Sequence, residues 1–210
     1  MIFTNGESGI CVASKCGSQT LRHAGAENSW WEIGRAGSKD GDLIRTLSPV
    51  YCITRHPMLR MLSAWRMYFV RPVVHYRNHG DWSKVHRHLN ADLAMPWIER
   101  HEADLFTHPV ECFHRFLRRD LPRWLAVRDP HFESMYDLYR PIERLVSVQY
   151  RSDFERVQRL LGWEPRHIHK GEWTWDSVLP EDFLTGAPEL QHLEDDYRIY
   201  DNRSYYKEIR

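Results

Sequence analysis

Two groups of residues in this 210-residue chain have the types and spacing to hold an anion. The first is Ser14-Lys15-Cys16-Gly17-Ser18-Gln19-Thr20. It gathers one Lys, one Gly and three hydroxyl side chains in seven residues, the composition of a phosphate-cradling loop. It is not a Walker A loop, because no G-x-x-x-x-G-K-[ST] occurs and the Lys precedes the Gly. The second group is Arg55 with Ser63. Pro57 suits the first turn of a helix, and a helix N-terminus offers unpaired N–H groups and the positive end of a dipole. Ser63 lies seven residues past His56, about 700° of rotation and roughly 10 Å of rise, on nearly the same helix face. In isolation an Arg/Ser pair is more often a surface salt bridge and a packing residue. A second anion loop in the same chain changes that balance.

The elements that must position these groups are strand–turn–helix units. Val50-Tyr51-Cys52-Ile53-Thr54 is β-branched and aromatic and reads as a short buried strand, and Gly9-Ile10-Cys11-Val12-Ala13 and the run from Leu145 to Tyr150 read as strands as well. Each of the first two hands over to a helix, and open α/β sheets bind ligands at that end of a strand. Leu59, Leu62 and Trp65 give the helix after Arg55 an apolar face. A further helix starts at Thr107-His108-Pro109 and presents Val110, Phe113, Phe116 and Leu117. Ser152 and Glu155 form a capping box, and Gly162 is a C-cap. The pattern predicts an α/β fold, three-layer, with a mainly parallel central sheet flanked by helices. Residues 1–210 form a single domain in this reading, large enough to bury roughly 70% of its unfolded surface. The polar, His-rich stretch around 67–106 is expected to be an insertion.

Composition narrows the function classes. Lys+Arg and Asp+Glu number 29 each, so no global charge draws the chain to nucleic acid or a membrane surface. The four cysteines show no C-x-x-C spacing, which favours reduced thiols. His75/His79 and His86/His88 belong to no four-ligand pattern, so solvated histidines and no metal are expected. There is no basic-then-apolar leader and no apolar run near 18 residues. A chain of this kind starting at Met1 is expected to be cytoplasmic, of bacterial or viral type, without a membrane anchor.

Together the two loops resemble those of sulfotransferases that use 3′-phosphoadenosine 5′-phosphosulfate (PAPS), closest to the carbohydrate branch typified by heparan sulfate 2-O-sulfotransferase. In that family a P-K-T-x-S-T-S-like loop holds the 5′-phosphosulfate, and Ser14 to Thr20 is similar, with Lys15 in the Lys position. An R-D-P-x-x-R-x-x-S-A-like segment holds the 3′-phosphate, and Arg55 to Ala64 is similar, with Arg55 and Ser63 in the phosphate positions. Ser14 replaces the usual Pro and His56 the usual Asp. The resemblance also touches Phe113 to Leu117, Asp129-Pro130-His131-Phe132 (where His131 would be an acceptor-site or a packing residue) and the ending Leu193 to Tyr200. It places Lys170 in a loop that closes over the nucleotide.

The resemblance implies a P-loop-like sulfotransferase fold whose residues 67–106 contribute to an acceptor cleft. The implied reaction moves a sulfonate group from PAPS to a hydroxyl acceptor, a glycan or small molecule, leaving the 3′,5′-bisphosphate product PAP. Lys15 is the implied catalytic cation, with Cys16, Gly17, Ser18, Gln19, Thr20, Arg55, Ser63 and Lys170 completing the nucleotide site. Such a transfer needs a base, and His23, Glu27 and Glu32 lie between the loops. In the 2-O-sulfotransferase branch the base is a His a little over twenty residues before the second motif's Arg. Counting back from Arg55 reaches Trp31-Glu32-Ile33, which makes Glu32 the nearest proton acceptor, and other sulfotransferase branches use Glu. Trp30 and Trp31 beside it form either a stacking wall for a sugar or part of the core. Two readings from other classes are a kinase-like nucleotide phosphotransferase and a non-catalytic carbohydrate-binding domain using its nine tryptophans.

Overall fold

A computed structural model describes residues 1–34, 43–44, 46–86, 90–139, 145–149, 155, 158–159, 161–164 and 178–201. The architecture is α/β, and the chain divides into two compact units. The first comprises 1–57, 134–172 and 190–210, and the second comprises 58–133 and 173–189.

The first unit is built on one sheet. Its described strands are β1 (Ile2–Thr4), β2 (Gly9–Val12), β3 (Trp31–Gly34), β4 (Val50–Thr54) and β5 (Leu145–Gln149), in the order β3-β1-β2-β4-β5. The expected strands β2, β4 and β5 are present and run parallel, with Gly9 opposite Val50 and Val50 opposite Leu145. β2 and β4 are buried along their whole length, which explains their unbroken apolar runs. β1 and β3 were not foreseen. They pair antiparallel, β1 with β2 and β3 with β1, so the sheet is mixed. Short strands of three and four residues carry too few alternations for a period to register.

Helix α1 (Ser18–Glu27) follows β2, and α2 (Pro57–Trp65) follows β4. Pro57 opens α2 as expected. Its buried face is Met58, Met61, Leu62 and Trp65, with Leu59 half-buried. The first unit closes with α9 (Met135–Tyr139) and α10 (Glu194–Asp201). Gly162, at φ 74, ends its turn with bonds from Gly162 N to Arg159 O and from Trp163 N to Gln158 O, the paired pattern that a left-handed C′ glycine makes possible. Ser152 of the expected capping box lies outside the described residues.

The second unit is helical: α3 (Arg71–His79), α4 (Ser83–His86), α5 (Ala91–His101), α6 (Asp104–Thr107), α7 (Pro109–Arg115) and α8 (Leu121–Ala126). Two π-helical turns interrupt it, Arg66–Val70 before α3 and Phe116–Asp120 before α8. Each stands just ahead of a proline, Pro72 and Pro122. A proline inside a continuous helix removes one N–H and its ring excludes the carbonyl four residues back. A single wide turn relieves that clash without ending the helix. The core of this unit is aromatic: Trp65, Tyr68, Phe69, Trp97, Phe113, Phe116, Trp124, Phe132 and Phe183 are all buried. Phe69 touches Trp97 at a ring separation of 4.1 Å and Tyr68 touches Trp124 at 4.6 Å. Among the described residues no helix is long and apolar enough to cross a membrane.

Phe69 contacts rings on every side of this cluster. Truncation to alanine is expected to lower stability by about 3–5 kcal/mol, measured as a shifted denaturant midpoint.

Candidate functional site

The loop between β2 and α1 is held in an unusual backbone conformation. Lys15 (φ 69) and Gly17 (φ 92) are both left-handed. Glycine adopts that region freely, whereas for a lysine it costs about 1 kcal/mol or more. Cys16 between them is buried, and its thiol contacts the sulfur of Met135 at 3.6 Å. Cys16 N donates to Ala13 O at 3.2 Å, which closes the turn. Gly17 is the N-cap of α1 and makes no side-chain cap, leaving N–H groups of the first turn to other acceptors. Lys15, Gly17 and Ser18 are half-buried and Gln19 is exposed, while Thr20 is buried. The Cys16 and Thr20 side chains are thus enclosed by the protein.

Arg55 follows directly on β4. Its Nη1 donates to the backbone O of Lys15 at 3.0 Å across a sequence separation of 40 residues. The parallel register of β2 and β4 is the cause: Val12 stands opposite Ile53, so both strands deliver their next residues to the same sheet end. One more side chain meets them there. The hydroxyl of Tyr139, on α9, accepts from Ala13 N at 2.8 Å and donates to Ile53 O at 2.6 Å. The sequence gives no local sign of this, since Tyr139 lies 126 residues from Ala13. His56, next to Arg55, packs edge-on against Tyr197 and Tyr200. Burial lowers its pKa below the usual histidine range, an effect that Asp201 partly offsets and Arg55 reinforces.

The other expected members are placed as follows. Glu32 lies on edge strand β3, where Arg22 of α1 reaches its Oε2 through Nη2 at 2.9 Å and Nε at 3.2 Å. Glu32 is opposite Phe3, which is opposite Ile10. Glu32 is thus level with the middle of β2 and two strand spacings away, about 10 Å. His23 and Glu27 are exposed on α1. Trp30 is core, 6% exposed and set edge-on to Trp163, whereas Trp31 is 51% exposed. Ser63 is half-buried on α2 and belongs to the second unit. Lys170 lies outside the described residues, as does His88. Among the described residues no group of three or more His, Cys, Asp or Glu side chains could hold a metal ion. All four cysteines are free and buried, and burial pushes the Cys112 thiol up to about 12.

No protein-family model, curated protein or solved structure matches this chain.

The second unit carries a separate polar cluster around Asp129, which is 0% exposed. Arg128, left-handed at φ 53, turns the chain there after α8. Asp129 Oδ1 accepts from the backbone N and from Nδ1 of His131, each at 2.9 Å. Its Oδ2 accepts from Tyr68 and Asn90. Burial raises the Asp129 carboxyl, but the bonds from His131 and Tyr68 outweigh it and hold the group below the usual carboxylate range. Burial first, then the bond to Asp129, drives the Tyr68 phenol far above its ordinary value. The His131 side chain is 26% exposed with Nδ1 fixed on the carboxylate, the pairing that orients an imidazole through its second nitrogen.

Asp129 ionised is therefore a stabilising group. Its folded pKa lies below the unfolded value of about 3.9, so its contribution is complete above that value and is lost as pH falls through the folded one. Replacing Asp129 by Asn is expected to cost on the order of 3 kcal/mol at pH 7 and to flatten the acid limb of the stability curve, measured by denaturation between pH 2 and 7.

Proposed function

We propose that this chain is a PAPS-dependent sulfotransferase acting on a hydroxyl acceptor, most simply on a carbohydrate. The observation that carries the reading is the meeting of the Lys15 loop with Arg55 at the carboxyl ends of neighbouring parallel strands. That is where open α/β sheets hold nucleotides, and the two residues there are the ones the family resemblance assigns to the two ends of the cofactor. The β2-β4-β5 segment is read as the parallel part of a three-layer sulfotransferase-like sheet.

The donor set fits an anionic nucleotide. Lys15, the α1 N-terminus and the backbone of Gly17, Ser18, Gln19 and Thr20 would hold the 5′-phosphosulfate, while the Cys16 N–H, bonded to Ala13 O, would keep the loop in shape. Arg55 would take the 3′-phosphate, with Ser63 and Lys170 assigned by resemblance alone. When bound, the cofactor supplies an activated sulfonate: the acceptor oxygen bonds to sulfur as the sulfur–oxygen bond to the phosphate breaks. Lys15 and the loop N–H groups stabilise the charge that grows on the departing phosphate oxygen, and fixed donors of this kind supply much of the catalysis in group transfer. The acceptor's proton passes to a base, for which Glu32 is proposed. Glu32 pairs with Arg22 and stands level with Ile10, short of the Ala13 end of β2 and two strands across from it. Serving as base therefore requires it to release Arg22 and this edge of the sheet to close on the Lys15 loop. Trp31, exposed on the face of β3 opposite the Glu32 side chain, is available as a stacking face for a sugar ring.

Calorimetric titration with adenosine 3′,5′-bisphosphate, AMP and ATP tests the reading. A clear preference for the bisphosphate supports it, whereas preference for ATP favours a phosphotransferase and sugar binding indifferent to nucleotide favours a carbohydrate-binding domain. Arg55→Ala is expected to weaken bisphosphate binding about 10–100-fold, the worth of a charge-assisted hydrogen bond. Lys15→Ala is expected to lower turnover by about 10²–10³. Unchanged turnover in Glu32→Gln would assign the proton to another group.

A further inference from the structure

We infer that Tyr139 is a positioning residue for the nucleotide site, a hydroxyl wedge that sets the spacing between the Lys15 loop and Arg55. The inference rests on the proposed reading of that site. It starts from the phase of the β2/β4 ladder. Gly9 N donates to Pro49 O at 3.0 Å, while Gly9 stands opposite Val50. In a parallel pair the same strand's residues donate at every second position. Two steps on from Gly9, the next rung but one would join Ala13 N to Ile53 O. These are the two groups that Tyr139 takes: its hydroxyl accepts from Ala13 N and donates to Ile53 O. A phenol oxygen thus replaces a direct backbone bond, and two hydrogen bonds in series replace one. β2 and β4 are held apart by about one extra oxygen's width at the rung from which Lys15 and Arg55 depart.

The wedge is itself anchored. Tyr139 is fully buried on α9. The start of that helix is fixed by the buried Asp196 of α10, whose Oδ1 accepts from Tyr136 N at 2.8 Å and from the Ser134 hydroxyl. Removing the hydroxyl leaves Ala13 N and Ile53 O two courses. They can close on each other, which draws the strand ends together, or remain buried without a bond. The first course shortens the spacing between the loop that takes the 5′ end of a nucleotide and the arginine that takes the 3′-phosphate, and the second leaves that spacing with no bond to fix it. A ligand that spans both is penalised more than one that uses the loop alone.

The experiment compares adenosine 3′,5′-bisphosphate with AMP by calorimetry on the full chain and on Tyr139→Phe. The expected result is a fall of at least tenfold in the ratio of the two affinities, with AMP binding changed less than about threefold. General destabilisation would weaken both ligands alike and leave the ratio where it was, so an unchanged ratio in a folded variant overturns the inference while leaving the nucleotide reading intact. Should Tyr139→Phe not fold, Ser134→Ala loosens the anchor of α9 instead. A lowered ratio is expected there too, and an unchanged ratio overturns the inference. Absence of bisphosphate preference in the unaltered chain would sink the proposed function. In that event the wedge is judged by proton NMR: a slowly exchanging Tyr139 hydroxyl with a cross-peak to the Ala13 amide upholds it, and a phenol proton exchanging freely with water disproves it.

Discussion

A parallel strand pair must stop somewhere, and the way β2 and β4 stop is the constraint on which the candidate site depends. Up to Val12 and Ile53 the strands are paired and buried on both faces. Beyond them the chain must leave the sheet, and every backbone group that loses its ladder partner inside the protein needs another, at a cost of about 1–3 kcal/mol if it finds none. A tyrosine hydroxyl donates and accepts at once, so one side chain satisfies both strands. The polar requirement of the sheet end and the spacing of the Lys15 loop from Arg55 are therefore met by the same atom.

The second unit shows the same economy applied to helices. Pro72 and Pro122 would break a regular helix, and the π-turns that precede them are the local adjustment that keeps the chain helical. The first of these turns carries Tyr68 into the aromatic cluster, where its hydroxyl reaches Asp129. A buried carboxylate would be costly alone. Here Tyr68, Asn90 and the His131 ring and backbone N–H all donate to it, so the cluster links the helix, the loop after α8 and the segment before α5 through one charge.

Much of the framework could be read from the chain itself. β2, β4 and β5 were legible because central strands of a parallel sheet are continuous apolar runs, and α2 and α7 because a proline stands at each start. Gly162 was legible because left-handed closure of a helix favours glycine. The edge strands were not. β3 has its first two residues exposed and is four residues long, so Trp31 and Glu32 carried no strand pattern and were weighed for their chemistry alone. Placing Glu32 in a strand fixes its level against Ile10 and explains its pairing with Arg22. It also separates the neighbouring tryptophans: Trp30 precedes the strand and is buried against Trp163, whereas Trp31 opens the edge strand and is exposed.

What a single sequence hides most completely is a polar group inside an apolar core. Tyr139 and Asp129 look like ordinary helix and turn residues, and sequence patterns assign tyrosine and aspartate to surfaces or half-buried faces. Their partners lie far along the chain: Ala13 and Ile53 for the tyrosine, Tyr68 and Asn90 for the aspartate. No periodicity connects such pairs, because the hydrogen bond is made by the fold and not by the helix or strand on which either residue sits. Each nonetheless fixes something that apolar packing leaves loose. Apolar contacts carry no direction of their own, whereas a buried hydrogen bond is lost altogether when its partners move by an ångström or two. The loop of Lys15 and the ring of His131 are thus each tied, by short polar contacts, to the buried core of their own unit.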